Sequence, residues 1–255
     1  MAYLEGKIYV IQGTSISIKV FTETSENSFS EKNPIESDLF IKLVDIVACK
    51  AIMALYILDQ SCIWQLDKNG NITEYVRLSH VYATISVTGR HLLVTSSSDV
   101  IKCRYRGILK PSLVPINFPM GLSGTKPWHA LETGSWNTYV AHIEKAKFHR
   151  VSKLEESERN RANIELCAYG YKGGNAENQL SNPVYLALER QYGHVFVADH
   201  DNGRVVMLDS DLRRRLMISD LTEGCYPNRL CYVEDKRTLI VGMSNGLVIG
   251  YKFTR

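Results

Sequence analysis

Six times along the chain the same kind of short run recurs: KIYVIQG at 7–13, ALYILDQ at 54–60, HLLVTSS at 91–97, NTYVAHI at 137–143, HVFVADH at 194–200 and TLIVGMS at 238–244. Each is rich in β-branched and aromatic residues, the composition of a strand. A partner follows each run within a few residues: SIKVFTE, CIWQLDK, VIKCRYR, FHRVSKL, RVVMLDS and LVIGYKF. Several partners alternate apolar with polar residues, as a strand covered on one face does. A third segment precedes each run (MAYLEG, DIVACKAI, YATISVTG, WHALETG, VYLALERQYG and RLCYVEDK), and the small residues Ala2, Ala48, Ala83, Ala130 and Ala187 recur in it. Small side chains suit a strand crowded near an axis. Polar outer pieces such as GNITEYVRL and ANIELCAYGY follow most units.

From Ile8 to Leu55 is 47 residues, then 37 to Leu92, 46 to Thr138, 57 to Val195 and 44 to Leu239. These spacings scatter around the length of one propeller blade, about 40–50 residues. Helical periodicity is nearly absent, and the long fourth spacing is explained by a charged insert, KLEESERNRA at 153–162, expected as a loop or short helix. The pattern predicts an all-β, six-bladed β-propeller with mostly four-stranded antiparallel blades around a central channel. The blades fall at about 1–42, 43–80, 81–126, 127–178, 179–224 and 225–255, in one domain. Nothing follows the third strand of the sixth unit, so either that blade has three strands or upstream residues of a longer parent supply a fourth.

Composition narrows the function classes. Charged residues make up 22% of the 255-residue chain and the net charge is +3, too mild to mark a nucleic-acid footprint, which needs clustered basic residues. The N-terminus MAYLEGKIYV has no signal-peptide core, and the longest apolar run, Ile52 to Leu58, is too short to cross a bilayer as a helix. The six cysteines form no CxxC pair and are expected as buried thiols in a reducing, cytoplasmic compartment. There is no GxSxG, HExxH, phosphate loop or dinucleotide fingerprint, and no catalytic residue is assigned.

The fifth unit carries the most specific pattern. Gly173-Gly174, Gln179-Leu180, Pro183, Leu186-Ala187-Leu188, Gly193, Val197-Ala198-Asp199, Asn202, Arg204 and Asp209 stand at the intervals of one repeat. In these residues the chain resembles an NHL repeat, and blade two keeps a fainter form around Asp59. The resemblance implies a binding platform similar to the C-terminal propellers of tripartite-motif proteins. Such platforms recognise proteins or RNA on one face, and some are the substrate-recognition part of ubiquitin ligases. A related group implies a different outcome, a lyase or hydrolase with zinc or calcium in the central channel.

The polar cluster Asp199-His200-Asp201-Asn202-Gly203-Arg204 fails the register of a calcium loop: Gly203 falls fifth from Asp199 and Ser210 twelfth. It reads instead as a structural turn, with Asn202-Gly203 accepting positive φ and Asp199 and Arg204 flanking it. Strand order places the connections into the innermost strands and the ends of the second strands on one face. Trp128, His129, His142, Tyr185, His200, Tyr226 and Arg229 are expected there as the binding face, since aromatics and Arg dominate binding hot spots. His129 and His142, with His80 and His200, are the alternative metal ligands at the channel mouth. A protein partner is expected first and RNA second, with no membrane, no cofactor in the main reading, and a monomeric isolated domain.

Overall fold

The structure, a computed structural model, describes residues 1–12, 16–25, 28–60, 62–88, 91–104, 113–119, 122, 124–133, 137–156, 163–219, 221 and 224–254. It contains six separate antiparallel sheets. Blade one is β1 (Ala2–Leu4), β2 (Lys7–Ile11), β3 (Ser17–Ser25) and β4 (Ser28–Glu36). Blade two is β5 (Leu43–Cys49), β6 (Ala54–Asp59), β7 (Cys62–Leu66) and β8 (Ile72–Arg77). Blade three is β9 (Thr84–Val87), β10 (His91–Thr95), β11 (Val100–Arg104) and β12 (Leu113–Pro115). Blade four is β13 (Thr125–Glu132), β14 (Asn137–Glu144), β15 (Phe148–Glu156) and β16 (Asn163–Tyr169). Blade five is β17 (Pro183–Glu189), β18 (His194–Asp199), β19 (Arg204–Leu208) and β20 (Arg214–Ile218). Blade six is β21 (Pro227–Val233), β22 (Thr238–Met243) and β23 (Val248–Lys252), with three strands.

Each recurrent run of the sequence is the second strand of a blade, and in blades two to six most residues of these strands are buried. All residues of β6 and β10 are buried, because a second strand is covered by a neighbouring blade on both faces. The apolar core consists of six clusters, one at each junction between consecutive blades. Blade-to-blade burial therefore holds the ring, as in other stacked repeats. The smallest cluster, Met1, Tyr3, Ile8, Val233 and Ile240, joins blade six to blade one.

The charged insert differs from expectation. Lys153 to Glu156 extend β15, and residues 157–162 lie outside the described residues. The extension is held by pairing: Lys153, Glu155 and Glu156 all have Cα partners on β16. All six cysteines are free thiols, four of them buried, and burial pushes Cys103 up to about 12. No helix among the described residues is long and apolar enough to cross a membrane.

Candidate functional site

A single irregularity repeats at the start of the innermost strands. β5, β13, β17 and β21 each carry a register shift, at Leu43/Asp45, Pro127/His129, Pro183/Tyr185 and Pro227/Arg229. A bulge inserts one residue and re-aims the next. The inserted residues are Val44, Trp128, Val184 and Asn228, and the residues after them occupy equivalent register positions: Asp45 opposite Leu58, His129 opposite Ala141, Tyr185 opposite Ala198, Arg229 opposite Gly242. In blade three Thr84, opposite Thr95, takes this place without a bulge, and its hydroxyl donates to the Trp128 carbonyl at 3.0 Å.

These equivalent residues meet at the axis. The Asp45 carboxylate, 1% exposed, accepts from the Tyr185 hydroxyl at 3.1 Å, the Ile85 N–H at 3.0 Å, the Arg229 Nε at 3.3 Å and its neighbour Ile46 N–H at 3.0 Å. The N-terminal ammonium lies 3.6 Å away. Contributions thus arrive from blades one, three, five and six, and they plug the channel. The guanidinium also sits 5.1 Å above the Tyr185 ring centre. His129, from blade four, stacks on the same Tyr185 ring, with centroids 3.8 Å apart. Burial alone would raise the Asp45 carboxyl; Arg229, the N-terminal ammonium and the Ile85 amide overcome it and hold the group below its ordinary value. Burial and the adjoining Asp45 push the Tyr185 phenol well above its ordinary value.

The two expected histidine neighbours do sit on paired strands, but their rings serve different contacts. His129 is 1% exposed and its Nδ1 accepts the Leu186 N–H at 3.3 Å. His142 is fully buried, and its Nε2 is 2.7 Å from the Ser152 hydroxyl, which donates to Glu165 at 2.6 Å. Burial, reinforced by Arg229 and the N-terminal ammonium, pushes His129 down to about 3. Burial, reinforced by Arg150, pushes His142 down to about 4. His80 is exposed, and His200 pairs with Asp201 at 2.7 Å and stacks on Tyr226 at 5.2 Å. Among the described residues no three His, Cys, Asp or Glu side chains stand close enough to hold a metal ion. A zinc or calcium centre of these four histidines has no donor set in this arrangement.

The polar cluster Asp199 to Arg204, between the second and third strands of blade five, forms a structural knot. His200 to Asn202 make one 3-10 turn, closed by Gly203 at φ +59°, a conformation glycine adopts without steric cost. The buried Asp199 carboxylate accepts from the Ser181 N–H (2.6 Å), Asn202 Nδ2 (2.8 Å) and Arg204 Nε (2.7 Å). Arg204 also donates to the Asn175, Ala176 and Gln179 carbonyls, and Asn202 to the Gly174 carbonyl. The NHL-like residues therefore bind the incoming connection onto the second-to-third-strand turn. Asp59 repeats part of this in blade two, accepting the Ile41 and Lys42 N–H groups at 2.8 Å each. Replacing Asp199 with Ala strands the buried Arg204, and should cost about 3 kcal/mol in urea unfolding. Asp59→Ala, with no buried cation to strand, should cost about 1–2 kcal/mol.

The upper face comprises the connections into innermost strands and the second-to-third-strand turns. Of the seven residues expected on it, Trp128 (38%) and Tyr226 (41%) are exposed, His200 and Arg229 are half-buried, and His129, His142 and Tyr185 lie beneath it. The face also exposes apolar residues that the sequence reading did not single out: Ile16, Leu39, Ile41, Val81, Tyr171 and Leu247. Ile41 and Val81 are the extremes, at 76% and 65%. The opposite face exposes Ile52 and Tyr192 in its first-to-second-strand turns. A depression of about 510 Å³ on the upper side, bordered by Gln12, Asn228, Arg229, Asn245 and Leu247, lies between blades six and one.

No protein-family model matches the sequence, and no curated protein matches it. Solved structures do share the fold. An auxiliary nutrient binding protein from Bacteroides thetaiotaomicron aligns with a TM-score of 0.65 at 12% identity, covering 96% of this chain and 65% of that one. Hydrazine synthase from Kuenenia stuttgartiensis aligns with 0.59 at 11% identity, over 98% of this chain and 93% of that one. The β-propeller domain of Myceliophteria thermophila Cps50 (Swd1) gives 0.59 at 7% identity, over 97% and 100%. At such identities the likeness is one of fold. The fold hosts binding proteins and enzymes alike.

Proposed function

We propose that this propeller is a non-catalytic recognition platform that binds a partner protein through its upper face. The observation that carries this is the uneven distribution of exposed apolar side chains between the two faces of the ring: among the described residues the opposite face exposes Ile52 and Tyr192, and the others, such as Ile164 and Leu216, lie on outermost strands. Ile16, Leu39, Ile41, Val81, Trp128, Tyr171, Tyr226 and Leu247 all belong to upper-face connections or strand starts. Exposed apolar groups gathered on one side of a soluble domain mark interaction surfaces, and Trp and Tyr are the common anchors within them. The polar residues between them, Asn228, Arg229 and His200, supply the hydrogen-bonding rim such interfaces carry. If the chain serves in a ubiquitin-ligase-like protein, as the resemblance of blade five implies, this face would present the substrate.

The test is affinity capture from the source organism's extract, followed by binding measurements with the purified partner. A Trp128→Ala/Tyr226→Ala variant, with unchanged circular dichroism and melting, should bind at least about 30-fold more weakly. A partner bound equally by both proteins would overturn the assignment to this face. Recovery of single-stranded RNA instead, with affinity falling steeply as salt rises, would replace protein by RNA as the ligand.

A further inference from the structure

Five of the six blade junctions receive an apolar side chain from the outermost strand of the leading blade or the residue after it. These are Ile35 between blades one and two, Val76 between two and three, Ile116 between three and four, Tyr169 between four and five, and Ile218 between five and six. Blade six has no fourth strand, and among the described residues its junction with blade one receives no such group. A cavity of about 380 Å³ stands there instead, bordered by Tyr3, Phe21, Phe29, Ile240, Val248 and Gly250.

The edge of β23 supplies the second, independent observation. The Met243 N–H donates to the Leu247 carbonyl, and the Phe253 N–H to the Arg237 carbonyl. Hydrogen-bonded pairs alternate along an antiparallel ladder, so the odd-numbered residues of this strand bond to β22. Val248 and Gly250 therefore turn their N–H and C=O groups outward, where no described strand pairs with them. Both residues border the cavity, while Ile249 and Tyr251 pack on the side of blade five. A strand added at this edge satisfies the backbone and places alternate side chains in the cavity.

We propose that the outer edge of β23 takes an extended peptide of a partner protein as the fourth strand of blade six, with the pattern acidic–x–aromatic–x–aliphatic from its N-terminus. The direction follows from the other five blades, in which the fourth strand pairs antiparallel with the third. Gly250 fills none of the cavity, so the residue opposite it is the aromatic one, which also covers the bare backbone of an edge glycine. Val248 meets the aliphatic residue. The charged residues bordering the cavity are Lys236, Lys252 and Glu23; this balance is positive, and a carboxylate opposite Lys252 matches it. A second copy of this edge would present Val248, Gly250 and Lys252 in turn and leave the cavity unfilled, so the occupant is a different chain. The cavity lies apart from Trp128 and Tyr226, and the inference does not rest on the reading of the upper face.

The test uses a fluorescein-labelled peptide, Thr-Glu-Val-Phe-Thr-Val-Thr, in anisotropy titrations of the 255-residue protein, with amide hydrogen exchange as a second readout. Saturable binding below about 1 mM is expected, with slowed exchange of the Val248 and Gly250 amides. Alanine in place of the peptide's Phe should weaken binding at least about tenfold. Lys252→Glu should weaken it about fivefold, and Lys in place of the peptide's Glu should restore it. Gly250→Phe, which fills the cavity from β23, should abolish binding; its Cβ would meet Thr238 at 3.5 Å, an ordinary contact. If that variant fails to fold, Val248→Pro serves the same purpose, because the N–H it removes from the first residue of the strand faces outward. Trp128→Ala/Tyr226→Ala should bind the peptide as the wild type does, which separates this inference from the recognition reading. No saturation, undiminished binding to a folded Gly250→Phe or Val248→Pro variant, or exchange that slows elsewhere but not at Val248 and Gly250 would each overturn the proposal. So would a dimer in sedimentation that Val248→Pro abolishes, since a second copy would then be the occupant.

Discussion

Lowering the pH from 7 to 5 is expected to remove about 4 kcal/mol of folding stability, about 2 from each of His129 and His142. In the unfolded chain both imidazoles take a proton near pH 6.5. In the fold they take it only at about 3 and about 4, respectively, because burial disfavours the charged ring. Below pH 6.5 the unfolded state therefore binds more protons, so stability rises with pH across this window. The contribution is complete above the unfolded value and is lost progressively as pH falls towards the folded values. Urea unfolding at pH 7, 6 and 5 measures the slope, which should approach about 2.7 kcal/mol per pH unit for two protons. His142→Asn should remove about half of that slope, since Asn cannot titrate. A flat profile between pH 7 and 5 would mean that both rings take up their protons in the fold as readily as in the unfolded chain, and half the slope that one of them does.

The blade count and the strand triplets were legible because strand periodicity and repeat spacing are both written locally, whereas the sixth blade was left open between three strands and four. Val197-Ala198-Asp199, Asn202-Gly203 and Arg204 were legible too, since that knot uses residues whose turn chemistry is specific. The bulges were not. Alternation alone assigns neighbouring residues to opposite faces, and one inserted residue shifts every later assignment. Trp128 thus stays exposed while His129 turns to the axis, although both were expected on one surface. A signal was present in hindsight: Pro127-Trp128-His129, Pro183-Val184-Tyr185 and Pro227-Asn228-Arg229 share a leading proline two residues before the axial group. Asp45 lacks that proline and was passed over, even though its carboxylate has more inter-blade partners than the histidines. Ile41, Val81 and Leu247 were missed for another reason. Aliphatic residues in connections look like core until the connection is known to lie on the surface.

Asp45 should be the costliest single position to change. Asp45→Ala removes the acceptor of Tyr185, Ile85 and Ile46 and the counter-charge of Arg229 and the N-terminal ammonium. An uncompensated buried cation costs more than a lost neutral hydrogen bond, so the expected loss is about 4–5 kcal/mol in chemical unfolding. Asp45→Asn keeps the shape and one acceptor oxygen but loses the charge, and should cost about 2–3 kcal/mol. The informative comparison is Asp45→Leu with Arg229→Leu. Removing both charges spares the desolvation that each would suffer alone, so the double variant should be more stable than the sum of the singles predicts, by at least about 2 kcal/mol. Strict additivity would show that the guanidinium and carboxylate do not interact across the axis. The carboxyl is held below its ordinary value, so its charge contributes fully above about pH 4 and is lost only as pH falls through the lower folded value. The histidine window therefore opens first on acidification and the plug fails after it, which makes the two steps separable in one pH series of wild type, His142→Asn and Asp45→Asn.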